Sequence, residues 1–138
     1  MFVIGIRKLE GYDKGYIEAA LDTDGSIGIY HIKGKNKFSP RVKTSFYNNN
    51  IDLLWKIAKI LGKGRPYSTM RNVWQLDYHN QDSYEILTQI ELVVKEKKRF
   101  IALEIIENKM RMNRYTPKLI RDAYKDMMND LVALATCQ

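Results

Sequence analysis

Apolar positions change their period several times along the chain, and each change predicts an element. Residues 14 to 23 read as a short helix, with Asp13 placed to cap it and Asp24-Gly25 to end it. Beyond that point the period falls to two. Ile27 and Ile29 alternate with Ser26, Gly28 and Tyr30, the pattern of a half-buried strand. The polar run Lys33-Gly34-Lys35-Asn36-Lys37 predicts a turn into a second strand, with Val42, Thr44 and Phe46 on a core face and Arg41, Lys43, Ser45 and Tyr47 on the other.

Asn50 is placed to cap a helix from Ile51 to Leu61, whose apolar stripe is Leu54, Ile57, Ala58 and Leu61 and whose stop is Gly62. A shorter hairpin follows, from Arg65 to Met70 and from Val73 to His79, turning at Arg71-Asn72. In it Trp74, Leu76 and Tyr78 alternate with Gln75, Asp77 and His79. The pattern then predicts a helix from Asn80 to Val94, a Lys-rich turn, a helix from Lys97 to Met112, and a last helix opened by Thr116-Pro117 as N-cap and first-turn proline. No linker or low-complexity tract interrupts this order. Residues 1–138 therefore form one α+β domain, an αββαββα arrangement with an antiparallel sheet and extra C-terminal helices.

A net charge of +7 and an isoelectric point near 9.4 point to a polyanionic partner, because neutralised phosphates release counterions. The only cysteine is Cys137, which excludes an internal disulfide and a cysteine-built metal site. No apolar run is long enough to span a bilayer, and Met1-Phe2-Val3-Ile4 is too short for a signal peptide. The expectation is a soluble, intracellular protein with no membrane partner.

The chemistry concentrates in residues 17 to 25, Ile-Glu-Ala-Ala-Leu-Asp-Thr-Asp-Gly, preceded by Gly15-Tyr16. Gly15, Ala19 and Thr23 stand four apart, so three small residues line one helix face, where a second helix could approach closely. Packing of that face against the chain's own sheet is an equal alternative. Asp24, before Gly25, has an ordinary explanation in turn chemistry.

The segment resembles the signature that names the LAGLIDADG homing endonucleases. Asp22, Asp24 and Gly25 match it outright, Ile17 and Leu21 conservatively, and Ala19 stands where that family has Gly; the order of elements is similar across nearly the whole chain. Two positions depart from it. Glu18 replaces a small residue beside the stripe, where it could crowd or charge a helix pair, and Ala20 is smaller than the usual Leu.

The resemblance implies that the helix bearing Gly15, Ala19 and Thr23 is a subunit interface. Asp24 would then be the carboxylate that holds Mg²⁺ above the cleaved phosphates, with Mn²⁺ able to substitute and Ca²⁺ supporting binding without cleavage. It implies that Asp22 is more structural than catalytic. It also implies a polar side chain at the end of the second strand, for which Asn48 and Asn49 both fit, with a turn and helix cap as the plain alternative. A lysine before a later helix is implied as well. Lys95 fits best; Lys97 and Lys98 are rivals, and a solvated charged turn is the ordinary explanation for all three.

On the outward ribbon face, Ser26, Tyr30, Arg41, Lys43, Ser45, Arg65, Ser68, Arg71, Gln75 and Asp77 would read bases in the major groove of double-stranded DNA, and Lys33, Lys35 and Lys37 would meet phosphates. Each alone is an ordinary surface residue. A single copy of the motif implies a homodimer on a long, near-palindromic site. The alternatives are a maturase of the same fold, which binds intron RNA, and a DNA-binding regulator that does not cut.

Overall fold

The computed structural model describes residues 5–31, 40–70, 72–113 and 115–136. Helix α1 (Gly11–Asp24) leads into strands β1 (Gly25–His31) and β2 (Pro40–Asn48). Helix α2 (Ile51–Leu61), strands β3 (Tyr67–Met70) and β4 (Val73–His79), and helices α3 (Gln81–Leu87), α4 (Glu96–Arg111) and α5 (Lys118–Thr136) follow. The two hairpins join through antiparallel β2 and β4 into one sheet of order β1-β2-β4-β3, so the predicted α+β arrangement holds.

Local chemistry explains α2 entirely. The Asn50 side chain accepts from the Asp52 N–H at 3.0 Å, Gly62 takes the left-handed conformation at φ 79°, and Leu54, Ile57, Ala58 and Leu61 are buried as predicted. With Ile17 and Leu21 of α1, Ile27, Val42, Phe46, Leu76 and Tyr78 of the sheet, and Ile101, Ala102 and Ile105 of α4, they form one core. The helices cover one face of the sheet and leave the other for polar residues.

Three predicted boundaries move, each for a reason outside the local pattern. Helix α1 begins at Gly11 rather than residue 14: its N-cap is Glu10, and Asp13 lies in the first turn, where its N–H bonds the Glu10 carbonyl at 3.1 Å. Helix α3 stops at Leu87 instead of continuing to Val94, because the N–H groups of residues 91 to 95 are all taken by carboxylates. Strand β3 begins at Tyr67, since Pro66 has no N–H to offer a ladder. The Thr116 hydroxyl accepts from the Asn113 N–H upstream and so does not cap α5.

Gly25 is required by proximity and not by an unusual φ. A Cβ there would lie 2.8 Å from the Ser45 carbonyl and 2.7 Å from Leu21, where α1 passes against β2 on its way into β1. That close crossing fixes Asp24 at the helix end.

Candidate active site

Asp24 is the last residue of α1 and is exposed; its carboxylate has no hydrogen-bond or ion-pair partner among the described residues. It lines an open cleft of about 210 Å³ with Tyr16, Ala19, Thr23, Tyr47 and Asn48. Of the two candidate amides, only Asn48 reaches this cleft. Asn48 ends β2, opposite Trp74, and its side chain also accepts from the Asn50 N–H at 2.9 Å; Asn49 points to solvent in the bend that follows. The three asparagines thus divide: Asn48 lines the cleft, Asn49 bends the chain and Asn50 caps α2.

Lys95 comes to the same helix end from the turn before α4. Its Nζ donates to the Asp22 carbonyl at 2.6 Å, a cation on the carbonyl-rich C-terminus of α1. The Lys97 and Lys98 side chains make no hydrogen bond or ion pair among the described residues. Burial pushes the Asp22 carboxyl up. The backbone N–H groups of Val93, Lys95 and Val94 and the charge of Lys95 outweigh that and hold it below the usual carboxylate range. Glu18 turns away from the small-residue face and accepts from the Glu91 N–H at 2.8 Å, so it crowds nothing there. Ala20 packs partly against the core despite its size.

The small-residue face is open. Gly15, Ala19 and Thr23 are all exposed, and a Cβ placed on Gly15 would meet nothing within 4 Å. A glycine in a helix interior costs about 0.5–1 kcal/mol relative to alanine, and no contact within the chain explains this one. Among the described residues no part of the sheet covers this face.

No protein-family profile matches the chain, and no curated protein matches it. Solved structures do. The homing endonuclease I-CvuI, in complex with its target in the presence of calcium, superposes with a TM-score of 0.67 at 20% identity over 87% of this chain and 83% of its own. The archaeal intron-encoded homing endonuclease I-Vdi141I, complexed with DNA, gives 0.69 at 16% identity over 92% and 86%. The LAGLIDADG meganuclease I-AabMI, bound to uncleaved DNA, gives 0.62 at 17% identity over 88% of this chain but only 43% of its own. The chain has the LAGLIDADG fold.

In this LAGLIDADG fold the polar sheet face carries a network that the alternation pattern did not reveal. Ser45, Asp77 and Ser26 lie in one cross-strand row; Lys43 pairs with His79, Arg41 with Tyr30, and Gln75 with Tyr47 and Tyr67. The Asp77 carboxylate accepts from Ser45 Oγ at 2.7 Å, from Gln75 Nε2 at 2.7 Å and from the Tyr67 hydroxyl. Ser45 and Gln75, expected on the open face, are instead buried at 0% and 8% exposure beneath this network. Ser68 pairs with Trp74 and so belongs to the opposite side of β3; Tyr67 holds the place expected for it. Arg65 is exposed in the loop before β3. Lys33, Lys35, Lys37 and Arg71 lie outside the described residues.

Burial pushes Asp77 up, and its three hydrogen bonds together with the charge of Lys43 bring it below its ordinary value of 3.8. A depressed folded-state value means stability that is complete above pH 3.8 and is lost as pH falls through the lower, folded value. Urea unfolding between pH 6 and pH 3 should therefore show the stability gap between wild type and Asp77→Asn narrowing toward the acid end. A gap that stays constant with pH would show that the network does not depend on the charge. The network also holds the Tyr67 hydroxyl, pushed up to about 12 by burial and by Asp77, as a neutral donor at any physiological pH.

Among the described residues no group of three or more His, Cys, Asp and Glu could hold a metal ion, and no helix is long and apolar enough to cross a membrane. One chain thus offers a single unpaired carboxylate in the cleft. That donor set suits a hard cation such as Mg²⁺, which keeps several waters and takes one or two carboxylates plus phosphate oxygens.

Proposed function

We propose that this chain is one subunit of a homodimeric, Mg²⁺-dependent endonuclease that cuts both strands of a specific double-stranded DNA site. The observation that carries the reading is the unpaired Asp24 carboxylate, exposed in one cleft with Asn48 at the end of a helix whose small-residue face is open. The fold is that of proteins solved with DNA targets, and this chain spans most of I-CvuI but under half of I-AabMI. In this reading one chain would correspond to half of the larger arrangement. A second copy would supply the second carboxylate.

Asp24 would hold the cation against the scissile phosphate, and Asn48 would orient an attacking water by hydrogen bonding. Lys95 would add positive charge at the same helix end. A bound Mg²⁺ would supply charge neutralisation of the phosphate and a more acidic water. The exposed Tyr30 and the partly exposed Ser26, Arg41 and Lys43 offer donors and acceptors to the major groove. Exposed Arg65 would join them, as would Arg71 on the strength of its charge. The sheet face also presents the Tyr67 and His79 side chains. Ser45 and Gln75 would act through Asp77 rather than by touching bases. Ser68 would meet DNA only at the sheet edge.

A selection of cleaved sites from a randomised DNA library tests the reading: a long, near-palindromic consensus is expected. A library left uncut in Mg²⁺ and in Mn²⁺ would refute it, and tight binding of intron RNA by the same preparation would favour the maturase. With the selected site in hand, affinity should fall steeply with salt. Replacing Lys33, Lys35 and Lys37 together should flatten the slope of log K against log salt by about 0.9 for each phosphate no longer neutralised. Replacing Arg41 should instead relax preference at particular base pairs, by about 1–3 kcal/mol each. Equal, sequence-independent losses for both sets would remove Arg41 from base readout.

A further inference from the structure

The turn between α3 and α4 is held in an uncommon way. Five consecutive backbone N–H groups donate to carboxylates: Glu91 to Glu18 at 2.8 Å, Leu92 to Glu96 at 2.8 Å, Val93 to Asp22 Oδ2 at 2.7 Å, and Val94 and Lys95 to Asp22 Oδ1 at 2.9 Å each. Leu92 is buried in the core, but Val93 and Val94 are 89% and 78% exposed, so side-chain packing does not fix residues 93 and 94; Asp22 holds them. The same residue also receives the far end of Lys95, whose Nζ donates to the Asp22 carbonyl at 2.6 Å. Lys95 is thus tied to residue 22 at both ends, by its N–H to the carboxylate and by its ammonium to the carbonyl. A long, flexible side chain is thereby restricted to one path, and it ends two residues from Asp24. Bracing the turn alone would need only the backbone bonds.

We infer that Asp22 is a positioning residue for the proposed cleavage: it fixes the Lys95 ammonium at the C-terminal end of α1, the end that carries Asp24, before DNA arrives. The inference rests on the endonuclease reading and adds a role to a residue whose carboxylate oxygens are taken by backbone N–H groups of residues 93 to 95. Asp22→Asn is the incisive change. It keeps the shape but turns an N–H₂ toward N–H donors, so one arm of the clamp must open. Misplacing a reacting group by about 1 Å costs up to about 100-fold in rate.

Single-turnover cleavage of the selected DNA site by Asp22→Asn, Lys95→Ala and the double variant separates positioning from general support. The rate constant of Asp22→Asn should fall about 10- to 100-fold with half-saturating DNA concentration within about twofold, and in the Lys95→Ala background the same substitution should cost under about threefold. Equal losses in both backgrounds, or an unchanged rate, would overturn the inference. Amide hydrogen exchange supplies an arm independent of cutting: residues 93 to 95 should be protected in wild type and exchange faster in Asp22→Asn. Unprotected amides in wild type would overturn the clamp itself. A wild type that keeps the protection but cuts no DNA would instead refute the endonuclease reading, and with it the positioning role, leaving the clamp as structure alone.

Discussion

Asp24→Asn should abolish cleavage while leaving the protein folded, dimeric and bound to DNA. The exposed Asp24 carboxylate makes no hydrogen bond or ion pair among the described residues, so replacing one oxygen by an amide nitrogen removes no internal bond and leaves no buried group unsatisfied. Its change in melting temperature should be small. The loss falls on the cation, which would exchange a charged ligand for a neutral one in each subunit of the pair. A drop of about 1000-fold or more, roughly 4 kcal/mol of transition-state stabilisation, is expected. Affinity for DNA measured in Ca²⁺ should stay within about threefold, and removing two carboxylates near phosphates could tighten it. The check is a plasmid-cutting assay in Mg²⁺ beside a gel shift in Ca²⁺. A variant that binds and cuts like wild type would refute the proposed mechanism, whereas one that fails to bind would move Asp24 from catalysis to recognition.

The parts legible in the sequence are those decided by local chemistry. Helix α2 was legible to the residue because its cap, stripe and stop all lie within the segment from Asn50 to Gly62. The alternation around Ile27 and Val42 gave the first hairpin, and the motif resemblance gave Asp24 as the candidate ligand. What was hidden depends on partners far along the chain. Nothing near Val94 says that α3 ends at Leu87, because the acids that take the N–H groups of residues 93 to 95 come from Asp22, about 70 positions earlier.

Alternation likewise places Ser45 on the outward face correctly, yet cannot show that Asp77, Gln75 and Tyr67 close over it from two other strands. Ser68 differs from its expected face by one position of strand parity, which only the pairing of β3 with β4 fixes. Strand parity puts Tyr67 and His79 on the same polar face, which side-chain type alone does not single out. The Asp24-Gly25 pair read as turn chemistry, whereas Gly25 is needed for its approach to the Ser45 carbonyl.

Ala19→Leu should produce a folded monomer that no longer cuts. Ala19 is exposed on α1 and lines the cleft, so the added isobutyl group meets no core and forces no internal repacking; the fold of the single chain should survive. Two helices that approach through small residues tolerate little added volume, and two related copies of the new side chain would meet across the interface. Gly15→Ala sharpens the argument because its two effects have opposite signs. Within one chain the new methyl touches nothing and should stabilise α1 by about 0.5–1 kcal/mol, while between two chains it widens the closest approach. Sedimentation velocity should show wild type as a dimer at micromolar concentration and Ala19→Leu as a monomer. Gly15→Ala should lie between them, with a weaker dimer but a more stable monomer under denaturant. If Gly15→Ala strengthened association, or if a wild-type monomer cut both strands in one encounter, the face formed by Gly15, Ala19 and Thr23 would not be the subunit interface. The second carboxylate would then have to come from elsewhere.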